Sequence, residues 1–337
     1  MTTCQTLKRT RSPSPESTTQ TSKRTRLEPT TIHVKYLVVS DTHDAELTLP
    51  NCDVLLHCGD LTEDGSPANL RKALRAIGKA NAELKLVIAG NHDISLDESY
   101  YPSQGGAKKD CMEACASVSS NKDSEASKNG ITFLMEGTHT FTLKSGVSFT
   151  IYASPYTPKY GDSAFQYPSN EDRFNIATYT PKWAKNVGTG KSVIPQNVDI
   201  VMTHGPPKYL LDGTADGRSA GCEHLRRAIA RVRPRLHCFG HIHRGYGAQR
   251  IEYDDMKRSE DDTDCISSLP KEWVGKNQAK MKGYANLPPN SADAFREHKG
   301  QTLIVNAAIM DDEDQPANAP WMIELELPIA GFRTDED

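Results

Sequence analysis

From Val34 onward the chain alternates short apolar runs with clusters of turn residues. Such runs, too short for helices and bounded by Gly, Asp and Asn, predict buried strands. They fall at residues 34–39, 53–57, 84–89, 148–152, 198–203, 236–239 and 303–307. Residues 321–327 instead alternate apolar and polar positions, which predicts a strand with one wet face. Two stretches between the runs read as helices. Ser66-Pro67 supplies a cap and a first-turn proline, and Leu70, Leu74 and Ile77 recur at helical spacing. The second runs from Glu223 through Leu225, Ala228, Ile229 and Val232 and must stop before Pro234. Strands alternating with helices predict an α/β class.

Three stretches break this pattern. Residues 104–130 and 254–300 are polar and read as surface loops or disorder inserted into the domain. Residues 156–195 carry Tyr156, Tyr160, Phe165, Tyr167, Phe174, Tyr179 and Trp183 among polar neighbours. They form either a wall able to stack on a base or aryl group, or a loop packed on its own aromatics.

Residues 1–32 are a basic Ser/Thr/Pro-rich tail that cannot bury enough surface to offset its ordering entropy. The ordered domain is expected over 33–330, with a short tail over 331–337. Lys8-Arg9-Thr10-Arg11 and Lys23-Arg24-Thr25-Arg26 resemble a bipartite signal for a nuclear import receptor, and read equally as a solvated tail. The first thirty residues hold six Lys/Arg against two Asp/Glu; with −4 overall, the remainder carries −8. An acidic body argues against bulk nucleic-acid binding. No apolar stretch suits a signal peptide or a membrane span, so a cytoplasmic or nuclear compartment is expected. The eight cysteines lack paired spacing; Cys111 and Cys115 alone are at most half a zinc site, and free thiols are expected.

Five motifs stand directly after five of the apolar runs. They are Asp41-Thr42-His43, Gly59-Asp60, Gly90-Asn91-His92-Asp93, His204-Gly205-Pro206-Pro207 and Gly240-His241-Ile242-His243. In open α/β sheets ligands gather at the carboxyl ends of strands, so five separated loops can meet. Two carboxylates, an amide and four imidazoles suit a pair of divalent metals; a fifth imidazole, His92, is left over. A one-residue gap in extended chain turns Asp41 and His43, and likewise His241 and His243, to the same side. His57 and His237, inside buried runs, read as core residues. His33, His139, His224 and His298 read as surface or packing residues.

The order of these motifs, with Asp53-Val54-Leu55-Leu56-His57 and Leu86-Val87-Ile88-Ala89 before two of them, resembles the calcineurin-like metallophosphoesterase superfamily from about Val34 to Ala308. The run from Gly221-Cys222 to Gly245-Tyr246-Gly247 is similar to the small branch known from animal brain and fungi. The resemblance implies a four-layer α/β/β/α sandwich, two mixed sheets flanked by helices. It also implies a ligand set: Asp60 bridging, Asp41, His43 and His243 on one metal, Asn91, His204 and His241 on the other. Mn²⁺ suits these donors first, with iron or Zn²⁺ also apt. The implied reaction is phosphodiester hydrolysis, of cyclic nucleotides or similar diesters, by a metal-bridging hydroxide with His92 as general acid, oriented by Asp93 or Glu63. The alternatives are a phosphomonoesterase or protein phosphatase, and a nucleotide-binding protein with little turnover. Where the protein-phosphatase branch carries a phosphate-clamping arginine, this chain has Glu63-Asp64-Gly65; repulsion there favours diesters over dianionic monoesters. Arg244 is placed to restore part of the missing charge.

Overall fold

In the computed structural model, which describes Met1, residues 31–254 and residues 265–329, the apolar runs assemble into two sheets. β1 (Thr31–Val39), β2 (Val54–His57), β3 (Leu84–Val87) and β4 (Ile131–Phe133) pair in parallel. The second sheet opens with an antiparallel hairpin of β5 (Gly137–Thr142) and β6 (Ser148–Ser154). Two small ribbons follow, β7 (Thr157–Pro158) with β8 (Gln166–Tyr167) and β9 (Glu171–Asp172) with β10 (Lys185–Asn186). The sheet continues through β11 (Ile200–Thr203), β12 (Leu236–Phe239), β13 (Gly247–Tyr253), β14 (Ile266–Lys271) and β15 (Gln301–Asn306), in the order β14-β13-β15-β12-β11-β6-β5. β16 (Trp321–Pro328) returns to the first sheet, antiparallel to β1, with its apolar residues buried as the alternation predicted.

Both faces of the central strands are covered, which is why they read as continuous apolar runs. Tyr36, Val38 and Leu56 face Phe149, Ile151, Met202 and Val305 across the space between the sheets. Leu37, Leu55 and Val87 point the other way and pack under α1 (Pro67–Gly78). Val201, Phe239 and Ile304 pack under α5 (Glu223–Val232). The result is the four-layer α/β/β/α sandwich. Both helices start where expected: Ser66 Oγ accepts from Asn69 N at 3.3 Å, and Cys222 Sγ caps α5 by accepting from Leu225 N at 3.2 Å. α5 ends as Arg233 turns to φ 56° just before Pro234.

Two expectations are corrected here. Residues 104–130 are not a loop. One turn, α2 (Tyr100–Ser103), leads into α3 (Lys108–Val118) and α4 (Glu125–Lys128), which share a core with α1 through Ala114 and Ala126. Small side chains make that contact, so average polarity concealed it. The described part of 254–300 is likewise ordered. β14 lengthens the second sheet, and α6 (Lys276–Lys282) and α7 (Pro289–Glu297) bury Ala279 and Phe295 in the inter-sheet core. The tails expected over 1–32 and 331–337 lie, apart from Met1 and residues 31–32, outside the described residues, as do residues 255–264.

Candidate metal centre

The parallel strands of both sheets end at one edge, and their ends carry the five motifs. Asp41 and His43 follow β1, Asp60 follows β2, Asn91 and His92 follow β3, His204 follows β11, and His241 and His243 follow β12. Ser40 bridges to Ala308, joining the two sheets where the motifs meet. The chain turns sharply after each strand. Asp41, His43, Asp60 and His241 adopt φ of 52°, 41°, 51° and 67°, a left-handed conformation that costs free energy outside glycine and collects at functional sites. These turns, not the extended backbone expected, bring His43 beside Asp41. Carboxylates pack directly on backbone here: a Cβ on Gly240 would collide with Asp41 Oδ2, and one on Gly90 with Asp60 Oδ1.

Three groups of donor atoms lie within 4.8 Å of one another: Asp41, His43 and His243; His43, Asp60 and His92; Asp60, His204 and His241. Asp60 belongs to two of them and sits between. Asn91 joins through Oδ1, 2.8 Å from His204 Nε2. Three imidazoles share one orientation. His204 Nε2 lies 3.2 Å from Asp60 Oδ2, while its Nδ1 meets Cys58 O at 2.9 Å. His43 Nε2 points to Asp60 Oδ2 at 3.7 Å, with Nδ1 2.7 Å from Glu63 Oε2. His243 Nε2 lies 3.5 Å from Asp41 Oδ1, with Nδ1 3.5 Å from Asp314 Oδ1. An outer oxygen on Nδ1 with Nε2 turned inward is how proteins fix a ligating imidazole. His43 Nε2 is buried without a hydrogen-bond partner, the condition expected of a donor reserved for a cation. The residues fit two divalent metal ions.

The charges agree. Burial raises the Asp60 carboxyl, but His204, His43 and His92 outweigh it and hold Asp60 far below the usual carboxylate range. Asp41 is held low in the same way, by His243 and His204 against burial. His204 is pushed up to about 9, because the Asp60 carboxylate overrides the effect of burial. The cluster thus holds protons where cations would replace them, which couples metal binding to proton release.

His92 lies at the rim, its side chain 38% exposed. Its Nδ1 is 3.0 Å from Glu63 O, and its backbone N–H donates to Asp60 Oδ1 at 2.8 Å. Burial alone would lower its pKa; Asp60 and the Glu63 carbonyl raise it above the ordinary value. Of the two residues expected to orient it, Glu63 does so, through its backbone, while its carboxylate serves His43. Asp93 has another task. It accepts from Gly90 N, Leu61 N, Thr62 N and Thr62 Oγ1 at 2.8–3.2 Å, tying the β2 and β3 turns together. Arg244 pairs with Asp312 at 3.5 Å, so its charge is shared with a carboxylate.

Three contributors carry no motif. Ser163 Oγ accepts from Asn91 Nδ2 at 3.2 Å and donates to Asn91 O at 2.8 Å, leaving Asn91 Oδ1 to face His204. Asn306 Nδ2 donates to Ile242 O at 2.9 Å and steadies the His241–His243 turn. Asp314 braces His243. Asn306 ends β15, so the strand-end rule reaches it; Ser163 and Asp314 sit on loops without a local signal. His57 and His237 are core residues, bonded to Thr42 Oγ1 at 3.0 Å and Thr203 Oγ1 at 2.9 Å. His224 is buried against Trp183, and His33 and His298 are exposed. Cys111 and Cys115 are free thiols on α3. The aromatic stretch packs largely on itself, with Tyr156 against Phe165 and Tyr167 against Phe174, and reaches the centre through Ser163.

A family model described as calcineurin-like phosphoesterase matches residues 34–245. "Probable rhamnogalacturonate lyase C" of Emericella nidulans is 34% identical over 242 residues, covering 71% of this chain and 20% of that protein. "Metallophosphoesterase domain-containing protein 1" of Homo sapiens is 33% identical over 234 residues, covering 64% of this chain and 62% of that protein. A UPF0046 protein of Caenorhabditis elegans is 31% identical over 229 residues, covering 66% and 54%. The chain therefore spans less than two thirds of each of these relatives.

Proposed function

The chain belongs to the calcineurin-like phosphoesterase family, and from that premise we propose that it is a metal-dependent phosphodiesterase acting on small diesters of the cyclic-nucleotide type. The observation that carries this reading is the convergence of seven donor residues from five strand ends, with Asp60 shared between two groups and His92 at the rim. One ion, Mn²⁺ first among the candidates, would be held by Asp41, His43, Asp60 and His243, and a second by Asp60, Asn91, His204 and His241. Bound there, the pair supplies Lewis-acid charge for the phosphoryl oxygens and acidifies water.

The side chains do the rest. Asp60, kept ionised, would contribute to holding both ions, since it belongs to two of the donor groups. Asp41 accepts the His241 N–H with both oxygens at 2.9 Å, locking the His-x-His turn. His92, its Nδ1 held by Glu63 O, presents Nε2 to a leaving oxygen and donates a proton there. The Glu63 carboxylate, 65% exposed at the same rim, repels a dianionic monoester more than a singly charged diester.

The test is to purify the protein without chelator, quantify bound metals, and assay an aryl phosphodiester against the matching monoester with added Mn²⁺. Two metals per chain, diester preference, and a loss of turnover of about 10²-fold or more in both Asp60→Asn and His92→Asn are expected. Monoester preference would replace this reading with a phosphomonoesterase. Bound metals without turnover of either ester would replace it with a nucleotide-binding role.

A further inference from the structure

A cleft of about 810 Å³ opens on the same edge of the sandwich as the metal motifs, but beyond β13. The strand registers place it there. Lys271, at the end of β14, stands opposite Gln249, Gly247 opposite Asn306, and Trp321 opposite Val38. Its walls include Trp273, Tyr246, Val274, Lys271, Lys276 and Lys280. The volume lies within the range of small-molecule sites.

Two features of the cleft point to a ligand. Trp273 is 72% exposed, yet its ring lies against Gly275, where a Cβ would stand 3.0 Å from Cη2. It is a supported aromatic surface with nothing stacked on it. The second feature is charge. Among the described residues, none of the three lysine ammonium groups has a hydrogen-bond or ion-pair partner. Lys271 lies along Gly247, where any side chain would collide with its Cε. The one carboxylate in the wall, Glu272, is buried and committed to Arg250 at 2.9 Å. Three uncompensated cations facing one cleft, on a chain with net charge −4, make a local field that attracts an anion. A planar ring for Trp273 and negative charge for the lysines together describe one ligand class.

We propose that this cleft is a second ligand site, separate from the metal centre, for a nucleoside phosphate. The ring stacks on Trp273, and the phosphate meets Lys271, Lys276 and Lys280. This site does not depend on the chemistry at the metals.

The experiment titrates AMP, adenosine and inorganic phosphate into the full chain, followed by calorimetry. Chelator-treated wild type and Asp60→Asn remove any contribution from the metal centre. AMP is expected to bind both with unchanged affinity. Trp273→Ala and the double variant Lys276→Ala/Lys280→Ala, all exposed positions that leave the core intact, should each weaken AMP at least tenfold. Adenosine and inorganic phosphate should each bind at least tenfold more weakly than AMP. AMP affinity that vanishes with the metals, or that ignores the cleft variants, would overturn the proposal. Phosphate binding as tightly as AMP would overturn the ring-stacking half of it.

Discussion

His57 and His237 show what separates a bracing histidine from a ligating one. Both lie inside strands, three and four positions before the candidate ligands Asp60 and His241, and both spend Nε2 on a threonine hydroxyl. Burial pushes His57 down to about 4 and His237 down to about 3, so both are neutral in the fold. The unfolded chain binds a proton at each below the ordinary 6.5, whereas the folded chain does not until far lower. Folding stability is therefore undiminished above pH 6.5 and is lost as pH falls toward 4. At pH 5 each residue costs on the order of 2 kcal/mol. Urea unfolding of His237→Gln and wild type at pH 7.5 and pH 5 checks this. The variant should lose about 2 kcal/mol less between the two conditions; equal losses would refute the assignment. At this scale the candidate ligands were legible because each motif joins chemically suited residues to the end of an apolar run. The choice Glu63 makes, its carbonyl for His92 and its carboxylate for His43, depends on a fold that sequence spacing does not encode.

Elements were legible where local rules act strongly. α1 and α5 carry caps, helical spacing and a proline at one boundary, and the central strands are apolar because both faces are covered. α3, α4, α6 and α7 escaped notice because alanines and single aromatics make their contacts. The ribbons β7–β10 have two residues per strand, too few for any periodicity. Yet the segment they organise delivers Ser163 to Asn91. Ser163→Ala should release the Asn91 amide and weaken metal binding at the position it shares with His204 by 10–100-fold, while Ser163→Thr keeps the hydroxyl and most of the affinity. Calorimetric metal titration reads this without turnover. A Ser163→Ala protein with two unchanged binding steps would show that the loop only covers the site.

At the scale of the whole molecule, the candidate metal positions join the two sheets. Asp41, His43, Asp60 and Asn91 belong to the first sheet, and His204, His241 and His243 to the second. Cations that bind only the folded arrangement stabilise it by mass action, by about 2.7 kcal/mol at a hundredfold excess over the dissociation constant. Thermal unfolding should therefore move to lower temperature with chelator and recover with Mn²⁺. Asp60→Asn, which removes the shared carboxylate, should abolish most of the recovery; a chelator-insensitive midpoint would place the metals outside the folding unit. By itself the sequence determined eight of the strands, two helices and the motif order, and it named the candidate donors. These rest on contacts between near neighbours, on caps and on side-chain chemistry. Only the tertiary structure decided which nitrogen of each imidazole faces inward, that Ser163, Asn306 and Asp314 support the ligands, and that a lysine-lined cleft stands beyond β13. Those depend on residues brought together from distant parts of the chain by the packing of two sheets.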